Sequence, residues 1–532
     1  MAPRLVILGW DSATFDLTDP LVEREELPVL AELQKKGFRA PLRSTWPPMT
    51  DSAWTSAFTG RNPGAHGIFG SWYRAPGSYA CRYFSSRDRR APALWEMTDG
   101  TRFCVWNVPM TYPPNEVAGA MVAGYGAPPG SRCCSPPDLQ DALARRWPLE
   151  DLLDRAPHTS LETFLVDLLR GLEAQAEALP YLAKKTGADC LVAVWPHVDR
   201  AQHFFWRFRG LDHPLSDAVD AVYRAMDKAT GAIVEAFDDA DVMVVSDHGA
   251  GPLKGDVNVG AWLAARGHAA YGRARAQHAL GLAWALPPPV RWLGRRLAPG
   301  LARRAFGATL AGQLGNFDWS ATNAFMGFHS DLWLNLEGRE PGGRVTEADA
   351  DRLLEELRGG LLELRAPDSG EPVFAGAYRR DEIYSGAAVD LAPDLMLDCW
   401  SQGYRVAPGR EATDELVVAP APLAGVGEPW SSDHRPLGVF VGAGPRIASG
   451  GASGGAGQAG PLSLMDVCPT ALALLDEPVP EGLDGRVATE ALAPSVAVSY
   501  GGRAAERSAA GDYSEAEAAA VAEHLKDLGY IE

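Results

Sequence analysis

Three short apolar segments of this chain each lead to an aspartate. The segments are RLVILGW before Asp11, CLVAVWP before Asp199 and ADVMVVS before Asp247. Continuous apolar runs of this length are typical of strands buried on both faces of a parallel sheet, and helical patterns lie between them. The sequence therefore predicts an α/β fold, a doubly wound and mostly parallel sheet with helices on both faces. Ligands bind at the carboxyl ends of such strands, so the three aspartates are expected to face one crevice.

Histidines accompany these aspartates. His203 follows Asp199 by four residues and would share a helix face with it, and His248 is next to Asp247. His434 stands just before another apolar run, LGVFV. For any single pair, a salt bridge with a core histidine is the simpler interpretation. Because carboxylates that face one crevice repel one another unless cations bind them, the whole set favours a metal site.

The hydroxyl of Thr50 stands where a helix is predicted to begin. Pro47 and Pro48 favour an extended approach, and the small and apolar residues from Ser52 to Phe58 indicate a short buried helix. The free N–H groups at a helix start favour an anion such as phosphate. A threonine that only caps the helix is the alternative, and this segment alone does not decide between the two.

The alternation of strands and helices is interrupted after residue 250. We predict a core formed by residues 1–250 and 401–532, the latter ending in a helix, with an inserted cap region over residues 251–400. The insertion contains an Arg-rich run, residues 273–304, within a stretch that has no acidic residue from Val257 to Phe317. This run would balance an acidic body, attract an anionic substrate or contact a membrane surface.

The composition limits the partners and the compartment. With 49 Lys and Arg against 68 Asp and Glu, the formal net charge is −19, which argues against nucleic acid as the main partner because phosphate contacts need clustered cations. We expect no transmembrane segment, which would need roughly 20 apolar residues, and no secretory signal at the start. The seven cysteines lack paired spacing, so a cytoplasmic location is predicted.

Seven segments form a specific combination along most of the chain. They are GWDSAT, PPMTDSAWTSAFTGRNPGAHGIF, VDRAQH, SDHG, SDHRPLGVFVGAGP, DVCPTALALL and HLKDLGYIE. Together they resemble the type I phosphodiesterase and nucleotide pyrophosphatase family of the alkaline phosphatase superfamily. The resemblance implies an alkaline-phosphatase-like fold with a bimetallic site. Its ligand sets would be Asp199, His203 and His434 for one ion, and Asp11, Asp247, His248 and the Thr50 oxygen for the other.

The resemblance also implies a reaction. Two divalent ions, zinc or alternatively manganese or another divalent metal, would clamp the attacking and leaving oxygens of an in-line displacement at phosphorus. Thr50 would be the nucleophile, and the resulting phosphothreonine intermediate would then be hydrolysed. The expected substrate is a small phosphodiester or pyrophosphate, such as a nucleotide-like molecule.

Two positions depart from the family's pattern. Ser71 stands where related nucleotide pyrophosphatases carry an asparagine that donates to phosphate, so a nucleotide preference is not carried over. Ser12 follows Asp11 in place of the commoner glycine, which is expected to change only the turn. Ser71 and Arg435, the residue after His434, are predicted to bind the substrate.

Three rival functions stay open. A phosphomonoesterase or a phosphotransferase of the same superfamily would share the metal ligands, and a metal-stabilised binding protein would have no activity. A sulfatase is disfavoured because no cysteine or serine stands in a CxPxR-like motif at the nucleophile.

His197, two residues before Asp199, is predicted to lie behind the ligands or at the surface.

Overall fold

A mixed sheet of nine strands lies at the centre of the structure, which is a computed structural model. The structure describes residues 2–503 except for 75–76, 80, 124–125, 128–130, 145–146, 148–157, 159, 272–316, 328, 407–414, 421–428 and 450–459. The Arg-rich run 273–304 and the helix predicted at the end of the chain, after residue 503, lie outside the described residues.

Strands and helices alternate through the first half of the described chain. The strands are β1 Leu5–Trp10, β2 Phe38–Arg43, β3 Trp72–Arg74, β4 Cys81–Tyr83, β5 Phe103–Trp106, β6 Gly119–Val122, β7 Cys134–Ser135, β8 Cys190–Trp195, β9 Asp241–Val245, β10 Gly249–Pro252, β11 Gly255–Val257, β12 Ala324–Met326, β13 Asp331–Leu334, β14 Gly376–Arg379, β15 Leu395–Asp398, β16 Tyr404–Val406, β17 Val417–Val418, β18 Ser432–Arg435, β19 Leu437–Ala443, β20 Leu462–Ser463, β21 Val479–Glu481 and β22 Tyr500–Arg503. The α-helices are α1 Phe15–Glu23, α2 Pro28–Lys36, α3 Thr50–Thr59, α4 Pro63–His66, α5 Asp138–Ala144, α6 Leu161–Thr186, α7 His197–Phe205, α8 Ala218–Ala236, α9 Val259–Ala265, α10 Glu347–Leu362, α11 Arg380–Ile383 and α12 Val467–Leu474. None of these described helices has the length and apolarity needed to cross a membrane.

The central sheet has the order β20-β2-β19-β9-β1-β8-β5-β6-β7. β9, β1, β8, β5 and β6 are parallel neighbours, and β2 and β20 run in the same direction, so β19 and β7 alone oppose the other strands of this sheet. The predicted α/β fold with a mostly parallel sheet is confirmed. Because β1 pairs in parallel with both β8 and β9, the carboxyl ends of these three strands lie side by side.

Strand β1 shows how the sequence produces two covered faces. All six of its residues are buried. Leu5 and Ile7 pack in a core with α3 and α12, whereas Val6, Leu8 and Trp10 pack on the other face with α6 and α8. Each fully buried aliphatic side chain of this kind contributes about 1.5–3 kcal/mol. Because both faces of the strand are buried, every position along it has to be apolar, which explains the continuous apolar run.

A second, smaller sheet belongs to the region predicted as an insertion. It has the order β12-β13-β15-β14 with antiparallel pairing, and α9 and α10 share its apolar core, which extends from Val257 to Val406. This core also contacts the segment before Thr50, where the ring of Trp46 lies 5.4 Å from that of Tyr378 and 6.2 Å from that of Trp400. The boundaries at residues 250 and 400 stay predictions.

Helix α2 is held by a carboxylate from another helix. The capping residue before the helix is Leu27, whose side chain cannot accept a hydrogen bond from the free N–H groups. The buried Asp227 of α8 does so instead, since its two oxygens accept from the N–H groups of Val29 at 3.0 Å and Leu30 at 2.7 Å. Asp227 thereby satisfies two of the N–H groups that a helix start leaves open.

We expect Asp227→Ala to lower the free energy of unfolding by about 1–3 kcal/mol, because two buried N–H groups lose their acceptor. Urea denaturation measures the change. The control is Lys228→Ala, since the neighbouring lysine side chain is 80% exposed and should be neutral. Equal stability of the two variants would contradict the capping role.

Candidate metal centre

Three histidine rings are oriented by the main chain. In each, Nδ1 lies at hydrogen-bonding distance from a backbone carbonyl oxygen: His203 from Ser432 at 3.0 Å, His434 from Pro48 at 2.8 Å and His248 from Gly249 at 3.1 Å. A carbonyl can only accept, so Nδ1 carries a proton, which leaves Nε2 as the nitrogen that can face a metal ion. This is the arrangement in which an imidazole binds a metal through Nε2.

The first cluster joins α7 to β18. Asp199 and His203 lie one helical turn apart, with Oδ1 of the aspartate 3.1 Å from Nε2 of the histidine. His434 places its Nε2 3.6 Å from the same carboxylate oxygen and 3.3 Å from Nε2 of His203. All three side chains are fully buried, and Trp430 stacks on His203 at 3.7 Å between ring centroids. These atoms could hold one ion.

The second cluster lies at the ends of β1 and β9. Nε2 of His248 is 3.1 Å from Oδ2 of Asp247 and 3.8 Å from Oδ1 of Asp11. The three residues are buried, and their ligand atoms, one from each residue, all lie within 4.8 Å of one another. The rings of His248 and His434 stack at 3.8 Å between centroids, so the two clusters are neighbours. Pairing of β10 with β18 sets this contact, because it places His434 opposite Ala250.

Thr50 is the first residue of α3 and faces the second cluster. Its Oγ1 lies 3.4 Å from Nε2 of His248. The capping position is occupied by Met49, whose side chain makes no capping hydrogen bond. The alternative that Thr50 caps the helix therefore does not describe this helix start.

The aspartates of the two clusters differ in the direction of their pKa shifts. Burial, and secondarily the charge of Asp199, raises the pKa of Asp11 to about 8. Burial and the charge of Asp11 raise the pKa of Asp247 well above its usual range. Burial also acts on Asp199, but its contacts with His203 and His434 outweigh this effect and hold its pKa well below the ordinary value. The second cluster thus needs added positive charge if both of its carboxyls are to ionise.

The residues present fit divalent metal ions. In Asp11, one carboxylate oxygen accepts from the indole N–H of Trp54 at 3.0 Å, and in Asp247 one oxygen accepts from the N–H of Ser12 at 3.2 Å. The other oxygen of each carboxylate is buried and accepts no hydrogen bond from the described residues. Spare oxygens beside spare imidazole nitrogens form the mixed N and O donor set that zinc accepts.

The remaining predicted site residues have other partners. Ser71 is buried and donates its hydroxyl to Oδ2 of Asp51 at 2.5 Å. The Arg435 guanidinium donates to the carbonyl oxygens of His434 at 2.8 Å and Pro252 at 2.6 Å, among others. Substrate binding by these two residues stays a prediction. His197 is fully buried at the start of α7, so the surface alternative for it is wrong.

Two residues that the sequence analysis did not single out support the ligands or the loop that carries one of them. Trp54 lies one turn after Thr50 on α3 and orients Asp11. Gln202, between Asp199 and His203, donates its amide to the carbonyl of Ser12 at 3.0 Å. The four-residue spacing of Trp54 from Thr50 was the one available signal, because residues so spaced share a helix face.

Ser12 links its own loop to the loop of Asp247 and to helix α7. Its N–H donates to Asp247, its carbonyl accepts from Gln202, and its hydroxyl lies 3.4 Å from the carbonyl oxygen of Gly249. Its φ is 67°, in the left-handed region that costs residues other than glycine roughly 1–2 kcal/mol. The position therefore requires a backbone shape, and two of its three contacts are main-chain contacts.

We expect Ser12→Gly to keep turnover and to change the free energy of unfolding by less than about 1 kcal/mol, because glycine adopts this φ freely. Ser12→Val should lose about 1–3 kcal/mol through backbone strain. Ser12→Ala separates the loss of the hydroxyl from the effect of φ, and thermal unfolding measures all three. A stable valine variant would contradict the strain at this position.

Comparison with known proteins agrees with this geometry. The family model described as type I phosphodiesterase / nucleotide pyrophosphatase matches residues 5–420, which is more than half of the chain and includes the ends of β1, β8 and β9 but not His434. No curated protein matches the chain. The chain therefore belongs to the type I phosphodiesterase / nucleotide pyrophosphatase family of hydrolases.

Proposed function

We propose that the protein cleaves a phosphodiester or pyrophosphate bond of a small, nucleotide-like substrate through a phosphothreonine intermediate on Thr50. One observation carries the proposal: the Thr50 hydroxyl, not used for capping, lies 3.4 Å from His248 within a pair of neighbouring, buried ligand clusters. A purely structural metal site would be closed by protein ligands and would not need an adjacent hydroxyl.

Asp199, His203 and His434 would hold one divalent ion, and Asp11, Asp247, His248 and Thr50 the other. Such ions, zinc by their donor set or alternatively manganese, supply Lewis acidity to the attacking and leaving oxygens. The side chains contribute orientation. The main-chain anchors of the histidines and the Trp54 contact to Asp11 hold the ligand atoms without rearrangement during the reaction.

Thr50 performs the displacement in this proposal. Its Oγ1 forms a bond to phosphorus while the bond from phosphorus to the leaving oxygen breaks, and the leaving group takes up a proton equivalent to the one that the hydroxyl loses. Water then cleaves the phosphothreonine and regenerates the hydroxyl. Because α3 begins at Thr50, the open N–H groups of its first turn lie at the same helix end as the hydroxyl and would be available to phosphoryl oxygens.

The rival activities of the superfamily use the same ligands and differ in substrate. A phosphomonoesterase would prefer a dianionic ester, and a phosphotransferase would pass the phosphoryl group to an alcohol in place of water. A cytoplasmic location is part of the proposal, and the free state of all seven cysteines supports a reducing compartment.

We expect Thr50→Ala to keep the fold and the bound metal but to lower kcat by at least roughly 1,000-fold, because the nucleophile is lost while the other ligands stay. Thr50→Ser should retain part of the activity. Thr55→Ala is the matched control, since that buried hydroxyl of the same helix donates to the carbonyl of Asp51 at 2.6 Å.

The substrates for this test are aryl phosphodiesters, phosphomonoesters, phosphonates and sulfates, with acid-quenched samples searched for phosphate on residue 50. A tenfold preference for the monoester would favour the phosphatase alternative. Full activity of Thr50→Ala would refute the covalent mechanism.

We expect a chelator to abolish activity and to lower Tm, because the buried carboxylates of both clusters lose the charge that offsets their repulsion. Added zinc or manganese should restore both quantities. Elemental analysis should give two ions per chain, and His434→Ala and Asp247→Ala should each lower this ratio to about one. A ratio near zero in active protein would end the two-ion proposal.

A further inference from the structure

The hydroxyl of Ser71 is already engaged inside the protein. It donates to Asp51, the residue after Thr50, over 2.5 Å, and both side chains are buried. Relatives are expected to have a phosphate donor at this position, but the Ser71 hydroxyl proton is used in the bond to Asp51 and is not available to phosphate. Besides the N–H groups at the start of α3, a site that stabilises charge on phosphoryl oxygens would gain from a side-chain donor on another residue.

His329, in the connection between β12 and β13 of the smaller sheet, reaches the segment that carries Ser71. Its ring rests on Gly70, where an added Cβ would lie 2.4 Å from Cδ2 and 2.7 Å from Nε2 of the histidine. Gly70 therefore has to lack a side chain for the ring to be where it is. The turn is fixed by Asp331, which accepts the N–H of His329 at 2.5 Å and the indole N–H of Trp333 at 2.7 Å.

The Nε2 atom of His329 is buried and makes no hydrogen bond with the described residues. The ring lines a cavity of about 30 Å³, whose wall also includes Phe69 and Trp72 on either side of Gly70 and Ser71. Burial lowers the pKa of His329, and the charge of His434 lowers it further against the opposing effect of Asp331. The neutral form of the ring is therefore favoured.

We propose that His329 is a substrate-binding residue, which donates from Nε2–H to a non-bridging oxygen of the phosphoryl group that Thr50 attacks. It would supply the hydrogen bond that Ser71 cannot give while bonded to Asp51. A neutral imidazole in this tautomer offers one N–H, and a donor shielded from water gains strength as negative charge develops on the oxygen. This inference rests on the proposed function, because it assigns a partner to the same phosphoryl group.

The test compares metal-loaded wild type with His329→Ala and His329→Gln. We expect His329→Ala to lower kcat/KM for bis(p-nitrophenyl) phosphate roughly 10- to 100-fold and to weaken competitive inhibition by inorganic phosphate by a similar factor, with metal content and Tm unchanged. His329→Gln should recover part of both, because its amide can donate. His268→Ala is the control, since that histidine of the same region faces Glu356 at 3.6 Å.

Gly70→Ala provides an independent variant that keeps the histidine but displaces its ring. It should show the same loss of phosphate inhibition as His329→Ala. Unchanged kcat/KM and unchanged phosphate inhibition in a folded His329→Ala would overturn the inference and leave Nε2 to a buried water. If wild type cleaves no phosphoester, the proposed function fails, and calorimetric binding of inorganic phosphate to metal-loaded wild type and His329→Ala still decides the inference.

Discussion

Carboxylates removed from water within one crevice set the main constraint on this structure. Asp11, Asp199 and Asp247 are all fully buried, and isolated charges in such surroundings cost several kcal/mol each unless they are compensated. Each carboxylate is met by a histidine of its cluster, and two of them also accept a fixed hydrogen bond from Trp54 or Ser12. The parallel pairing of three adjacent strands forces these charges together, so the fold itself creates the need for cations.

The sequence predicted the fold because its signals are local. An apolar run buried on both faces can be recognised without knowledge of its neighbours, and the strands before Asp11 and Asp247 are found as expected. Parallel strands bring their carboxyl ends to one edge, so the convergence of the aspartates followed from topology. The assignment of a threonine nucleophile and of the metal needed the family resemblance in addition.

Contacts between distant segments were not predictable in the same way. The bond from Ser71 to Asp51 closes off a donor that a motif alignment would keep available. The burial of His197 depends on α6, where Gly171 leaves room beside its ring. The left-handed φ of Ser12 could be suspected only from the glycine that relatives carry there. Each of these features depends on side chains or backbone that are distant along the chain. The local sequence pattern contains no information about such contacts.

The region of the smaller sheet also holds the segment that leads to Thr50. Tyr384 donates its hydroxyl to the carbonyl of Trp46 at 2.9 Å, and the Trp46 ring packs among aromatic rings of that region. The chain then passes through Pro48, whose carbonyl anchors His434, and reaches Thr50 two residues later. All three candidate histidine ligands take their orientation from carbonyl groups, which every amino acid possesses. Neighbouring side chains can therefore change, and with them the shape of the substrate site, while the backbone carbonyls continue to orient the three imidazoles.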